Sequence, residues 1–134
     1  MLDDLAKIFD DGGRLLGVNA AILESEWVTA IELRFESLSA VFRAVSDDDS
    51  LNLSIASLSP EPGEVIVDLG SSPPWMNCVG SGLQWVWQLI NQQGYHDGVR
   101  FEFGEGTIIE LVVVASAIKV FMSINKDSIA NTLS

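Results

Sequence analysis

Any catalytic arrangement of the Ser-His-Asp or Cys-His type in this chain must use His96, because the sequence contains one histidine. The matching thiol is Cys78, the single cysteine. A helix predicted below places these two residues roughly four to five turns apart, too far for a nucleophile and its base. Asp97 adjoins His96, but adjacent side chains in an extended segment or turn diverge. We therefore expect no catalytic residue and a protein that is not an enzyme.

Metal and cofactor sites are also not expected from the spacing of the candidate ligands. The run "DDDS" at 47–50 could chelate calcium, but Leu51 stands where the third ligand of an EF-hand belongs and no glycine follows. One cysteine and one histidine cannot form a zinc cluster. The stretch "GSGLQW" begins like a dinucleotide-binding loop, yet Trp85 occupies the third glycine position. The run at 47–50 is accordingly interpreted as a solvated turn.

The overall composition predicts one folded, acidic domain over residues 1–134. Hydrophobic residues make up 48 % of the chain, which excludes a disordered protein, and 7 basic against 19 acidic residues give a net charge of −12. Such a surface repels phosphate backbones and anionic membranes, so neither a nucleic acid nor a membrane is expected as a partner. A basic protein partner would instead associate faster in this field. The acidic N-terminal segment is unlike a secretory signal, and we expect a cytoplasmic location.

Hydrophobic spacing predicts a short N-terminal helix at 2–11 followed by a series of strands. The clearest strand is "WVTAIELRFES", in which Ile31, Leu33 and Phe35 alternate with polar residues. A bulge or bend is expected at Gly17 in the strand before it. The other strands are expected at 14–27, 38–45, 51–58, 65–69, 99–103, 107–116 and 117–124. The polar tail 125–134 is expected to fray or to form a short helix.

The segment 75–93 is predicted to be a long second helix that ends before Gly94. Its apolar residues fall on two neighbouring stripes, a wider arc than one contact with a sheet requires. The surplus, Trp85 or Trp87, would lie under a loop or remain partly exposed. Asp97-Gly98 is a hairpin-type turn signal leading into the next strand. The predicted fold class is α+β, in two layers, with an antiparallel meander of about 6–8 strands covered by this helix.

Aromatic and polar residues around this helix form the predicted partner-binding surface. Tryptophan is a favoured anchor in protein interfaces, although tryptophans in a small domain can equally belong to the core. Between Ala44 and Val99 there are seven acids and no lysine or arginine, which suits a cationic partner. The predicted binding residues are Trp75, Trp85, Trp87, Gln92, Tyr95, His96 and Asp97.

The strings "PW" and "LQWVWQLINQQGYHDGVRFEF", within about residues 73–103, resemble the signature of a family of small bacterial domains of unknown function. The resemblance implies a tryptophan-bearing helix, an amide-Gly-Tyr turn and a phenylalanine-rich strand. More loosely, small acidic α+β proteins of this kind resemble bacterial immunity proteins, which neutralise a toxin by covering its basic active face.

Three functions remain open at this point. The first is a non-catalytic protein-binding domain, whose specific form would be an immunity- or antitoxin-like inhibitor of a basic partner. The second is a homodimeric structural or regulatory domain, in which the same apolar excess pairs two copies. The third is a small enzyme with an acidic pocket.

Overall fold

The computed structural model describes residues 1–104 and 106–124, with the backbone alone at Ile124. The predicted polar tail 125–134 lies outside the described residues. Within the described ranges one helix precedes nine strands. The elements are α1 (Leu2–Asp11), β1 (Leu15–Leu23), β2 (Trp27–Phe35), β3 (Ser39–Val45), β4 (Ser50–Ile55), β5 (Glu64–Asp68), a single 3-10 turn (Trp75–Asn77), β6 (Leu83–Ile90), β7 (His96–Phe103), β8 (Thr107–Val114) and β9 (Ala117–Ile124).

The strands form two antiparallel sheets. The first sheet has the order β4-β3-β2-β1-β5 and the second has the order β6-β7-β8-β9. Within each sheet successive strands are neighbours, except that β5 lies beside β1 and not beside β4. The strands β4, β5, β6 and β9 are therefore the edges of the two sheets.

The core lies between the inner faces of the two sheets. Phe42 of β3 meets Phe101 of β7 edge to face, with ring centroids 5.4 Å apart, and Phe103 packs beside Phe101 at 5.8 Å. Leu5 and Ile8 of α1 are buried in the same apolar cluster. Helix α1 thus covers part of the opening between the sheets rather than a sheet face.

Main-chain hydrogen bonds join the two sheets at one corner, through the residues just before β6. The Leu15 N–H donates to the Ser81 carbonyl at 2.9 Å, and the Gly80 N–H donates to the Leu15 carbonyl at 2.7 Å. Gly82 then forms an isolated bridge with Arg14. The start of β6 is consequently attached to the start of β1.

The predicted α+β fold with a long helix over 75–93 is wrong. This segment contains one 3-10 turn and the strand β6, so the protein is mostly β and has a short N-terminal helix. Gly80 has a φ of 91°, which a right-handed helix does not allow. The sequence Leu83–Ile90 is rich in aromatic and branched residues, which favour strands. Nine strands, instead of the six to eight expected, follow from this change.

Several local predictions are confirmed by the strands. Ile31, Leu33 and Phe35 are buried on β2, and the β1–β2 register shifts between Leu15 and Gly17, as expected for a bulge. Glu32 is buried on the outer side of the first sheet, where it accepts hydrogen bonds from the Asn19 amide and the Leu58 N–H. The segment around Leu58 therefore covers part of that outer face.

The predicted turn at Asp97-Gly98 is also wrong, since both residues lie in β7. Gly98 is instead required by close packing. A Cβ atom at this position would lie 2.6 Å from the Leu111 carbonyl oxygen of the neighbouring strand β8. The actual turn lies earlier, around Gly94, which has a φ of 87°.

The described residues include no helix long and apolar enough to cross a bilayer.

A charged cluster fixes the edge strand β5 to the strands behind it. The Glu64 side chain accepts hydrogen bonds from Arg43 of β3 at 2.8 Å, from the Thr29 hydroxyl of β2 and from the Glu61 N–H. Burial alone would raise the pKa of Glu64, but these hydrogen bonds outweigh it and lower the pKa to about 2. The ionised carboxylate is therefore the form that the fold stabilises.

We expect Glu64→Gln to lower the free energy of unfolding at pH 7 and to flatten its dependence on pH. A folded-state pKa of about 2, against an ordinary 4.5, means that the stabilisation is complete above pH 4.5 and is lost as the pH falls toward 2. The contribution is at most about 3 kcal/mol. Urea unfolding between pH 2 and 7 measures it, with the exposed Glu26→Gln as control. Equal pH profiles for Glu64→Gln and the unaltered protein would contradict the assignment.

Candidate functional site

Two tryptophans of β6 lie side by side on the outer face of the second sheet. Trp85 is 61 % exposed and Trp87 is 40 % exposed. The Arg100 guanidinium carbon lies 5.7 Å from the centre of the Trp87 ring, on the neighbouring strand β7. Val86, between the two tryptophans, packs against the core. The alternation along β6 therefore forces both indole rings outward.

Helix α1 extends this aromatic surface past the free edge of β6. Phe9 stacks on Trp85, with centroids 6.4 Å apart and ring planes 24° from parallel. Leu2, about two turns earlier on the helix, is also exposed. Between the helix and the strand lies a groove of about 270 Å³. This α1–β6 groove is lined by Leu2, Leu5, Ala6, Phe9, Asp10, Trp85 and Val86.

The helix beside the groove is strongly acidic. It carries four aspartates and a single lysine, Lys7. The ion pairs of the described residues join Arg14 to Glu36, Arg43 to Glu61 and Glu64, and Arg100 to Glu110, so none of them involves α1. The four aspartates are Asp3, Asp4, Asp10 and Asp11. Their charge adds to a surface that already contains the apolar groove.

The turn between β6 and β7 is organised by the Asn91 side chain. Its carbonyl oxygen accepts hydrogen bonds from the Gln93 N–H at 2.9 Å and the Tyr95 N–H at 3.2 Å. Its amide nitrogen lies 3.3 Å from an Asp97 carboxylate oxygen. Gln92, Tyr95 and His96 are exposed and Asp97 is half-buried. The predicted polar residues thus occupy a fixed hairpin beyond the end of the tryptophan strand.

His96 belongs to a different concave region from the two tryptophans. It lines a cavity of about 420 Å³ together with the first residues of α1 and β4, including Asp3 and Ser50. The Nδ1 atom of its imidazole is hydrogen-bonded to the side-chain amide nitrogen of Gln88. Within residues 1–104 and 106–124, histidine, cysteine and carboxylate side chains form no group of three that could hold a metal ion.

Trp75 and Cys78 are core residues that stabilise the link between the sheets. Both are buried, and the Cys78 thiol lies 3.8 Å from the Pro74 carbonyl oxygen. Burial raises the pKa of Cys78 to about 11. The thiol is therefore protonated at neutral pH and is a poor nucleophile.

The structure brings together some of the predicted binding residues and separates others. Trp85 and Trp87 share one surface, whereas Trp75 is buried and His96 opens on another cavity. The sequence prediction did not include Leu2 and Phe9. Their positions at the borders of the apolar arc of α1, next to the buried Leu5 and Ile8, are the signal that could have identified them.

The chain matches the model of a protein family. The model of the Family of unknown function (DUF6334) matches residues 5–126. This range includes the Phe9–Trp85 pair and all of the strands β1 to β9. No curated protein and no solved structure matches the chain.

We expect Cys78 to react with a disulfide reagent such as DTNB at least about 100-fold more slowly in the folded protein than in urea. Its raised pKa leaves little thiolate at pH 8, and its buried position excludes the reagent. The absorbance of the released thionitrobenzoate measures the rate, with free glutathione as the reference thiol. Rapid labelling without denaturant would show that the segment around the 3-10 turn opens.

Proposed function

We propose that this chain, which belongs to the DUF6334 family, is a non-catalytic protein-binding domain whose α1–β6 groove receives a basic partner. The proposal depends on one observation. An exposed pair of stacked aromatic rings, Phe9 and Trp85, lies beside a helix with four aspartates that make no ion pair with the described residues.

The exposed aromatic surface is what a binding site supplies at its centre. Burying a large aromatic side chain against a partner is favourable by roughly 25 cal/mol for each Å² removed from water. Trp85, at 61 % exposure, retains much of its surface for such a contact. Tryptophan is also among the residues whose truncation most weakens protein complexes. The groove beside it, about 270 Å³, could receive one or two apolar side chains of the partner.

The charge around the groove selects the kind of partner. With a net charge of −12, the protein attracts a basic surface from a distance and accelerates its association. The aspartates of α1 continue this field to the rim of the groove, where they could pair with lysine or arginine side chains. A second copy of the same chain would bury the same tryptophan, but it would bring two acidic helices together.

An immunity- or antitoxin-like inhibitor in a bacterial host is the specific form of this function that we propose. Such an inhibitor acts by covering a basic active face, which requires an acidic surface with apolar anchors and no chemistry of its own. The α1–β6 groove and its aspartates support this reading. The location proposed for the complex is the cytoplasm.

We expect Trp85→Ala to weaken the complex with the basic partner by at least about tenfold, because it removes the central apolar contact. The partner is first isolated from the native host with the unaltered protein at about 50 mM NaCl, and affinities are then measured by calorimetry. Asp10→Asn should weaken binding less and should reduce its salt dependence. The matched control is Phe121→Ala, which removes a 55 % exposed ring on the opposite edge strand, β9.

Three results would count against this function. One is equal affinity for Trp85→Ala and the unaltered protein. Another is a complex whose affinity does not change between about 50 and 300 mM NaCl, since screening at these concentrations should weaken steering. The third is a dimer in light scattering that Trp85→Ala converts to a monomer, which would assign the groove to a second copy.

A further inference from the structure

We propose that the free edge of β5 is a second docking site, which accepts an extended cationic peptide as an added strand. This site uses none of the residues of the α1–β6 groove, so it stands or fails independently of the function proposed above. We refer to the strand Glu64–Asp68 with its outward-facing main chain as the β5 edge.

The main chain of the β5 edge has hydrogen-bonding groups that no strand of the described chain uses. The Leu69 N–H donates to the Val18 carbonyl at 2.8 Å, which fixes the phase of the β1–β5 ladder. In an antiparallel pair, alternate residues bond to the neighbour. The main-chain N–H and C=O groups of Val65 and Val67 therefore form the hydrogen bonds to β1. Those of Ile66 point away from the sheet. An added strand would bond to these groups.

The side chains of the β5 edge are unusually apolar for an exposed strand. Val65, Ile66 and Val67 are 64 %, 40 % and 37 % exposed. Natural edge strands are usually protected by lysine, proline or a bulge. The five residues of β5 include no lysine or proline, and its register with β1 runs without a shift. The edge therefore lacks these three protections and could accept an added strand, as in domains that bind peptides by strand addition.

Charge at the two ends of the strand decides which occupant fits. At one end, Glu61 and Glu64 share the single guanidinium of Arg43, so the group carries a net negative charge. At the other end, Asp68 is exposed, and its side chain accepts a hydrogen bond from the Gly70 N–H. A peptide with lysine or arginine at both ends of a short β-branched stretch complements this pattern.

A second copy of the chain fits the same edge poorly. An antiparallel β5–β5 pair centred on Ile66 would place Glu64 opposite Asp68 twice. Like charges directly opposite each other on paired strands are destabilising. The net charge of −12 on each copy adds to this repulsion. The cationic peptide is therefore the occupant that the structure favours.

The direct test uses two fluorescein-labelled heptapeptides, KTVTVTK and ETVTVTE, in an anisotropy titration at about 50 mM NaCl. We expect KTVTVTK to bind at least about tenfold more tightly than ETVTVTE, because its lysines lie one residue beyond Glu64 and Asp68 when its central threonine pairs with Ile66, close enough for attraction to the acidic ends of β5. Two further peptides have the KTVTVTK side chains and carry N-methyl groups on alternate amides, one on the odd-numbered and one on the even-numbered residues. The peptide whose N-methyl groups replace the N–H groups that face β5 should not bind, whereas the other should.

A protein variant tests the same contact from the other side. Ile66→Pro removes an N–H that points away from β1, a position where proline is tolerated in an edge strand. We expect it to weaken KTVTVTK binding at least about tenfold, whereas Ile66→Thr, which keeps the N–H, should stay within about threefold. Trp85→Ala should leave the peptide affinity unchanged, which separates this site from the groove. Circular dichroism confirms that each variant is folded.

Several outcomes would overturn the proposal. Equal binding of the lysine and glutamate peptides would remove the charge argument. Unchanged binding of both N-methylated phases would exclude strand addition, and this arm holds even where Ile66→Pro fails to fold. A dimer in sedimentation velocity that Ile66→Thr retains and Ile66→Pro abolishes would assign the edge to a second copy.

Discussion

The structure depends on the packing of one sheet on the other. The edge-to-face contact between Phe42 and Phe101 joins the inner faces of the two sheets. Apolar side chains of both sheets are removed from water in a single cluster, which Leu5 of α1 completes. A sandwich of this kind buries mainly the inner face of each sheet, and here the segment around Leu58 also covers part of the outer face of the first sheet. What the protein presents to partners is therefore decided by its outer faces, its edge strands and the helix at its opening.

The candidate site follows from this arrangement. Val86 occupies the core side of β6, so the neighbouring Trp85 and Trp87 have only the outer face available. Helix α1 must bury Leu5 and Ile8, and this orientation places Phe9 against the Trp85 ring. The aromatic surface is thus a by-product of where the core residues lie. Its acidic rim comes from the remaining positions of the same helix.

The strand β2, which has one polar face, could be predicted from the sequence, whereas β6, which lacks one, was predicted as a helix. Ile31, Leu33 and Phe35 alternate with polar residues on β2, and the pattern identifies the strand. In β6, apolar residues occupy both faces, so Leu83–Ile90 fits a helical stripe as well as a strand. The decisive information was non-local, since β6 pairs with β7 along its length. The surplus of apolar surface predicted that Trp85 or Trp87 would lie under a loop or stay partly exposed, but the contribution of Phe9 required the position of α1.

The main-chain hydrogen bonds among Leu15, Gly80 and Ser81 connect the two sheets at one corner of the sandwich. At the far end of β6, around Ile90 and His96, no main-chain hydrogen bond within the described part of the chain crosses to the first sheet. Among the described residues, the two sheets are therefore held together by main-chain hydrogen bonds at one corner only. A small change in the angle between the sheets should widen the cavity beside His96 and leave the corner near Gly80 unchanged.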